Sequence, residues 1–166
     1  MTDQTPPPAP EFTPTAAVDT IYYSAEGKLT DVGRNIVRNG FTVFARACWL
    51  HAEAKGFHGV GRTASEELML IASEVFEAFE SVRNNEPNLW YRDKTDDGTI
   101  QHSEHATEDG RLRKPEGKFS ELADVFVRLG DTVGGSDEMI ALFVEAVTNK
   151  NAYNSTRPAL HGGKSL

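Results

Sequence analysis

The chain has 166 residues, a formal net charge of −8 and one cysteine, Cys48. That length allows one domain with a real core rather than two. The charge argues against polymeric nucleic acid and anionic membrane as partners, an internal disulfide is impossible, and no apolar run approaches a membrane span. A small anionic ligand stays open, because a few placed cations or a bound metal can reverse the field locally. With no signal-peptide pattern, the expected location is cytoplasmic, the host cytoplasm if the gene is a phage's, and Asn154-Ser155-Thr156 is not read as a glycosylation site.

Residues 1–20 carry Pro6, Pro7, Pro8, Pro10 and Pro14 and predict a disordered tail with too little apolar surface to fold. A single domain is expected over 21–166. Its first helix is predicted over 33–55, with Ile36, Val37, Phe41, Phe44, Cys48 and Trp49 as an apolar stripe and Gly56 as the stop. Cys48 and Trp49 are read as packing residues. The second helix starts at a capping box, Thr63 to Glu66, and runs to about Arg83. The third covers about 118–133 and ends at Gly134-Gly135. The fourth follows Ser136, with Asp137 and Glu138 suiting its positive end, and stops before Pro158.

The fold class is therefore all-α, with four helices and no convincing strand alternation. Between the second and third helices lies a polar stretch, Tyr91 to Glu116. A connection this long is a functional flap or a disordered insertion. Its pieces around Gly98-Thr99-Ile100 and Gly110-Arg111-Leu112 could form a small hairpin. His102 and His105, near Glu104 and Glu108, lack the helical spacing or cysteine partners of a strong zinc motif. Trp49, His58, Trp90 and Tyr91 could stack on a nucleobase, with Trp90 and Tyr91 the better placed.

The acids carry the chemistry. Glu74 and Glu77 share a face of the second helix, with Glu67 near it. Glu121 and Asp124 repeat the three-residue spacing on the third. Both pairs sit in apolar sequence, so their helices are expected to be buried on more than one side. In that setting Val75, Phe76 and Phe79 are expected in the core or at a subunit interface, and Glu80 in solvent. Four carboxylates brought together would repel, or protonate, unless a divalent cation joined them. Hard oxygen donors suit Mg²⁺, with Mn²⁺ as a substitute. The plainer alternative is a pair of solvated helix faces. Asp131, seven residues after Asp124, reads as a supporting residue or a helix cap. Lys150, Asn154 and Arg157 are spaced for one helix face, either as phosphate donors or as cations suiting a helix C-terminus.

Over most of 35–166 the chain resembles the MazG-like, all-α nucleotide pyrophosphohydrolases, in the short form of phage and bacterial members. The resemblance is carried by Glu74-x-x-Glu77, Glu121-Leu122-Ala123-Asp124, Lys150-x-x-Tyr153-Asn154-x-x-Arg157-Pro158 and His161-Gly162-Gly163-Lys164. It implies metal ligands at Glu74, Glu77, Glu121 and Asp124, with Glu74 or Glu77 as general base. It implies substrate contacts at Lys150, Asn154 and Arg157, beside Tyr153. Ser73 stands where the family often has a further acid, so no ligand is carried there. The implied activity is Mg²⁺-dependent cleavage of a nucleoside triphosphate to monophosphate and pyrophosphate, by a homodimer or homotetramer. The rival readings are selectivity for one deoxynucleotide, such as dUTP, dCTP or dGTP, and a non-catalytic helical interaction protein.

Overall fold

The computed structural model describes residues 19–96 and 100–157. Nearly all of the Pro-rich segment, Gly98-Thr99, Pro158 and the His161-Gly162-Gly163-Lys164 ending lie outside them. The elements run α1 (Asp19–Tyr22), α2 (Asp31–Ala54), a 3-10 turn (Phe57–Val60), α3 (Ala64–Arg83), β1 (Trp90–Arg92), β2 (Lys114–Glu116), α4 (Lys118–Gly134) and α5 (Asp137–Asn154). The four long helices are those expected from the sequence. The short α1 begins two residues before the expected start of the domain. Among the described residues, no helix is long and apolar enough to cross a membrane.

The chain divides into two compact units, residues 40–143 and the remainder. In the terminal unit, the turn between Tyr23 and Leu29 is pinned by Asn151 of α5. The Asn151 amide accepts from the Leu29 N–H at 2.9 Å and donates to the Gly27 carbonyl at 3.0 Å.

In the 40–143 unit the helix ends follow their sequence signals. Both halves of the capping box form, with Thr63 N–H donating to Glu66 at 2.7 Å and Glu66 N–H donating to the Thr63 hydroxyl at 3.3 Å. Beside the core, partly exposed aromatic rings pair, Phe41 stacking on Phe143 at 4.9 Å and Phe44 on Phe126 at 4.7 Å.

The packing of α3 differs from the sequence expectation. Its buried residues are Glu74, Ala78 and Ser81, spaced as one helix stripe and turned toward the adjoining α4. Val75, Phe76 and Phe79 therefore point away from that contact, with Phe76 66% and Phe79 58% exposed. They are not core residues of the described chain. The small and acidic stripe permits close helix approach, while the bulky stripe remains uncovered.

The hairpin also forms elsewhere than expected. β1 pairs antiparallel with β2, in register Trp90↔Glu116, Tyr91↔Pro115 and Arg92↔Lys114. Of the anticipated pieces, Leu112 makes an isolated bridge to Ala106. The long-range pairing is held by charge that alternation does not reveal. Asp93 is buried and takes two bonds from Arg111, at 2.8 and 3.1 Å, and one from Arg113 at 3.2 Å. These bonds, led by Arg111, hold the Asp93 carboxyl far below the usual range.

Gly117 closes the insertion onto α4. Its φ is +92°, and a Cβ there would lie 2.4 Å from the Pro87 carbonyl oxygen. Only glycine fits that backbone without strain.

Candidate metal centre

α3 and α4 bring Glu74, Glu77 and Glu121 together. One carboxylate oxygen from each lies within 4.8 Å of the others. Two oxygens on opposite sides of Mg²⁺ would be about 4.2 Å apart, so small side-chain movements would close this set on one ion. Among the described residues it is the one such cluster of three or more acids, histidines or cysteines.

The three acids are held differently. Glu74 is 5% exposed and receives the Arg128 guanidinium at 2.5 Å. Glu121 is 8% exposed and takes no hydrogen bond or ion pair from the described residues. Burial, then the charges of Glu77 and Asp124, push its carboxyl above the ordinary range. Glu77 is exposed. Among the described residues, the one ion pair to these three acids is that of Arg128 with Glu74.

Asp124, the fourth expected ligand, lies outside the cluster of three. It borders a cleft of about 340 Å³ whose lining includes Arg128, Asp131 and Leu70. Desolvation and then Glu74 raise its pKa, while Arg128 and Lys114 lower it. Its charge is thus felt at the site.

Arg128 was not anticipated from the sequence, although a signal existed. Glu121, Asp124 and Arg128 are spaced by three and four, which places all three on one face of α4. Asp131 has a defined partner as well. His58 Nε2 lies 2.8 Å from an Asp131 oxygen and Nδ1 2.8 Å from a Glu53 oxygen, and because carboxylates accept, the charged imidazolium donates to both. Trp49 stacks on the same imidazole at 5.0 Å and is half-buried. This joins α2, the 3-10 turn and α4 behind the cleft.

Asp131, with a smaller contribution from Glu53, raises the His58 pKa. A raised folded-state pKa gives stability that is complete below the unfolded histidine value, about 6.5, and lost as pH rises through the folded value. Thermal melting should therefore show the advantage of wild type over His58→Gln shrinking as pH rises above about 6.5. A constant difference from pH 6 to 9 would remove the charged His58 bridge.

The other sequence candidates belong to the 3-10 turn, the insertion and α5 with the turn after it. Trp90 is 6% exposed, its N–H points to Glu86 at 3.4 Å and Arg92 covers its ring at 5.5 Å. It packs the insertion and presents no open face to a base. His102 pairs with Asp96 at 2.8 Å, and His105 meets the edge of Tyr91. Neither belongs to a metal-type cluster. Lys150, Tyr153 and Asn154 occupy the last turns of α5, with Lys150 over the Tyr153 ring at 5.9 Å. Arg157 follows in a turn whose N–H bonds the Asn154 carbonyl. They belong to the terminal unit.

No family model, curated protein or solved structure matches the chain.

Proposed function

We propose that the protein is a Mg²⁺-dependent nucleoside triphosphate pyrophosphohydrolase of MazG-like type. It would convert a (d)NTP to the monophosphate and pyrophosphate, serving nucleotide-pool control in the cytoplasm. The observation that supports this most is Glu121. Glu121 is a largely buried residue whose carboxylate takes no hydrogen bond or ion pair from the described residues and faces two further carboxylates, and that repulsion is costly unless a cation completes the group.

Glu74, Glu77 and Glu121 would hold the ion, with Asp124 beside them. Mg²⁺ bound there would neutralise phosphate charge and acidify a water. Glu77 is the favoured general base, because Arg128 already occupies Glu74. Lys150, Asn154 and Arg157, with Tyr153, are assigned to the substrate's phosphates by the resemblance alone. The uncovered apolar side chains of α3, Leu68, Met69, Phe76 and Phe79, support a homodimer or homotetramer.

The same uncovered surface is what a non-catalytic interaction protein would present, and one panel separates the readings. Pyrophosphate release from the common NTPs and dNTPs should require Mg²⁺ or Mn²⁺. A response to dUTP, dCTP or dGTP alone would establish the selective form. Glu77→Gln should lower the rate by about 10²-fold or more, the scale of losing a positioned base. No release from any nucleotide, with no thermal shift on adding metal, would leave the interaction protein.

A further inference from the structure

The insertion ends in a charged group that the proposed reaction leaves unused. Glu116 is 7% exposed, and one of its oxygens takes both Arg92 Nε, at 3.1 Å, and Lys114 Nζ, at 3.0 Å. Arg92 and Lys114 are paired across the ladder, so their side chains share a face of the ribbon. A simple latch between strands needs one cation. Here two cations share one carboxylate, leaving the group with a net positive charge. Their side chains are 49% and 62% exposed, so donors remain open to solvent.

The position of this group matters more than its charge. Gly117 follows Glu116 and caps α4. Glu121 is four residues further on, about 6 Å along the axis at 1.5 Å per residue. The junction is fixed, because Phe119 N–H donates to the Asn88 carbonyl at 2.9 Å and Gly117 fits tightly under Pro87. β2 also packs directly on α4. The Arg92 guanidinium is held over the Trp90 ring. Consistent with this placement, Lys114 opposes the rise in pKa at both Glu121 and Asp124, and Glu116 adds to it at Glu121.

We propose that Arg92 and Lys114 form an oxyanion bracket, positioned by Glu116, that receives a phosphate group of a polyphosphate substrate whose neighbouring phosphates lie at the acidic cluster. The bracket rests on the metal-dependent reading of that cluster. It gives the insertion a direct role: the ribbon carries donors for the phosphate chain to the mouth of the site. The Arg fork supplies two directed bonds and the ammonium a point charge, both aimed at non-bridging oxygens. Recognition is of the phosphate chain and not of the base.

The bracket makes opposite demands on two ligands, which separates it from a structural latch. Before phosphate arrives, Lys114 repels a divalent cation. Afterwards, it attracts the anion that the cation carries. Calorimetric titration of the full chain with Mn²⁺ alone, then with inorganic triphosphate in saturating Mg²⁺, tests this. Lys114→Met should bind Mn²⁺ about twofold more tightly, through loss of a like charge, and inorganic triphosphate about tenfold more weakly. Arg92→Met should also weaken triphosphate about tenfold, whereas Lys114→Arg should stay within about threefold of wild type. Wild-type affinity for triphosphate in both Met variants would overturn the bracket while leaving the metal site standing. Equal weakening of Mn²⁺ and triphosphate would also overturn it, since that marks a distorted site. Absence of Mn²⁺ binding to wild type would instead remove the metal reading on which the bracket rests.

Discussion

Glu121→Gln should make the metal-free protein more stable and abolish the proposed pyrophosphate release. Glutamine keeps the shape of the side chain and removes a charge that burial, Glu77 and Asp124 all oppose. A carboxyl whose folded-state pKa is raised costs stability once pH passes the unfolded value, about 4.3. The variant should therefore melt about 2–4 °C above wild type at neutral pH, the shift that about 1 kcal/mol produces in a chain of this size. The gap should close below about pH 4, where the acid is protonated in both states. Adding Mg²⁺ should reverse the order. Wild type gains from binding by mass action, while the variant has lost a direct donor. Pyrophosphate release should fall at least about a hundredfold, since even partners one step further from a metal cost up to that much. A variant that melts lower than wild type without metal would show that Glu121 is a packing residue and not a strained ligand.

Gly134→Ala should be strongly destabilising. A Cβ at that position would lie 2.2 Å from the Ala45 carbonyl oxygen and 2.7 Å from the Trp49 Cβ. The first neighbour is backbone and cannot rotate away, so α4 must shift from α2. Overpacking of that kind costs about 3 kcal/mol or more. The expected fall in Tm is about 6–12 °C for a protein of this length. The shift would propagate, because α4 also carries Glu121, Arg128 and the Asp131 partner of His58. Gly40→Ala provides the contrast. Gly40 lies within α2, and a Cβ there meets nothing within 4 Å. That change should stabilise by about 0.5–1 kcal/mol through helix propensity. Urea unfolding of both variants measures the pair. Equal midpoints would contradict the close approach of α2 and α4.

Arg128 holds Glu74, so the acidic cluster is partly neutralised by the protein itself. In the proposed metal reading, an ion would have to compete with that guanidinium for Glu74. Asp124 is close enough to feel Glu74 yet outside the tight group of three. Its expected place as a ligand belongs with the proposal and the titrations that test it.

The amino-acid sequence by itself determined the helices. Their ends are written in local chemistry: the Thr63–Glu66 box, the Gly56 stop, the Gly134-Gly135 break and the acids after Ser136. It also brought out the paired acids, because three-residue spacing on a helix fixes a shared face before any tertiary contact forms. Tertiary structure decided what those faces meet. The apolar periodicity of α3 is nearly two-sided, and local pattern cannot choose between stripes of similar hydrophobicity. The contact with α4 turned Glu74, Ala78 and Ser81 inward and left Phe76 and Phe79 outward. The insertion was illegible for a different reason. Its strands are three residues each, far apart in sequence, and secured by Asp93 with two arginines rather than by alternation. Pairing of distant charges depends on the path of the whole connection. That path alone set Arg92, Lys114 and Glu116 at the head of α4, and turned a polar loop into part of the candidate site.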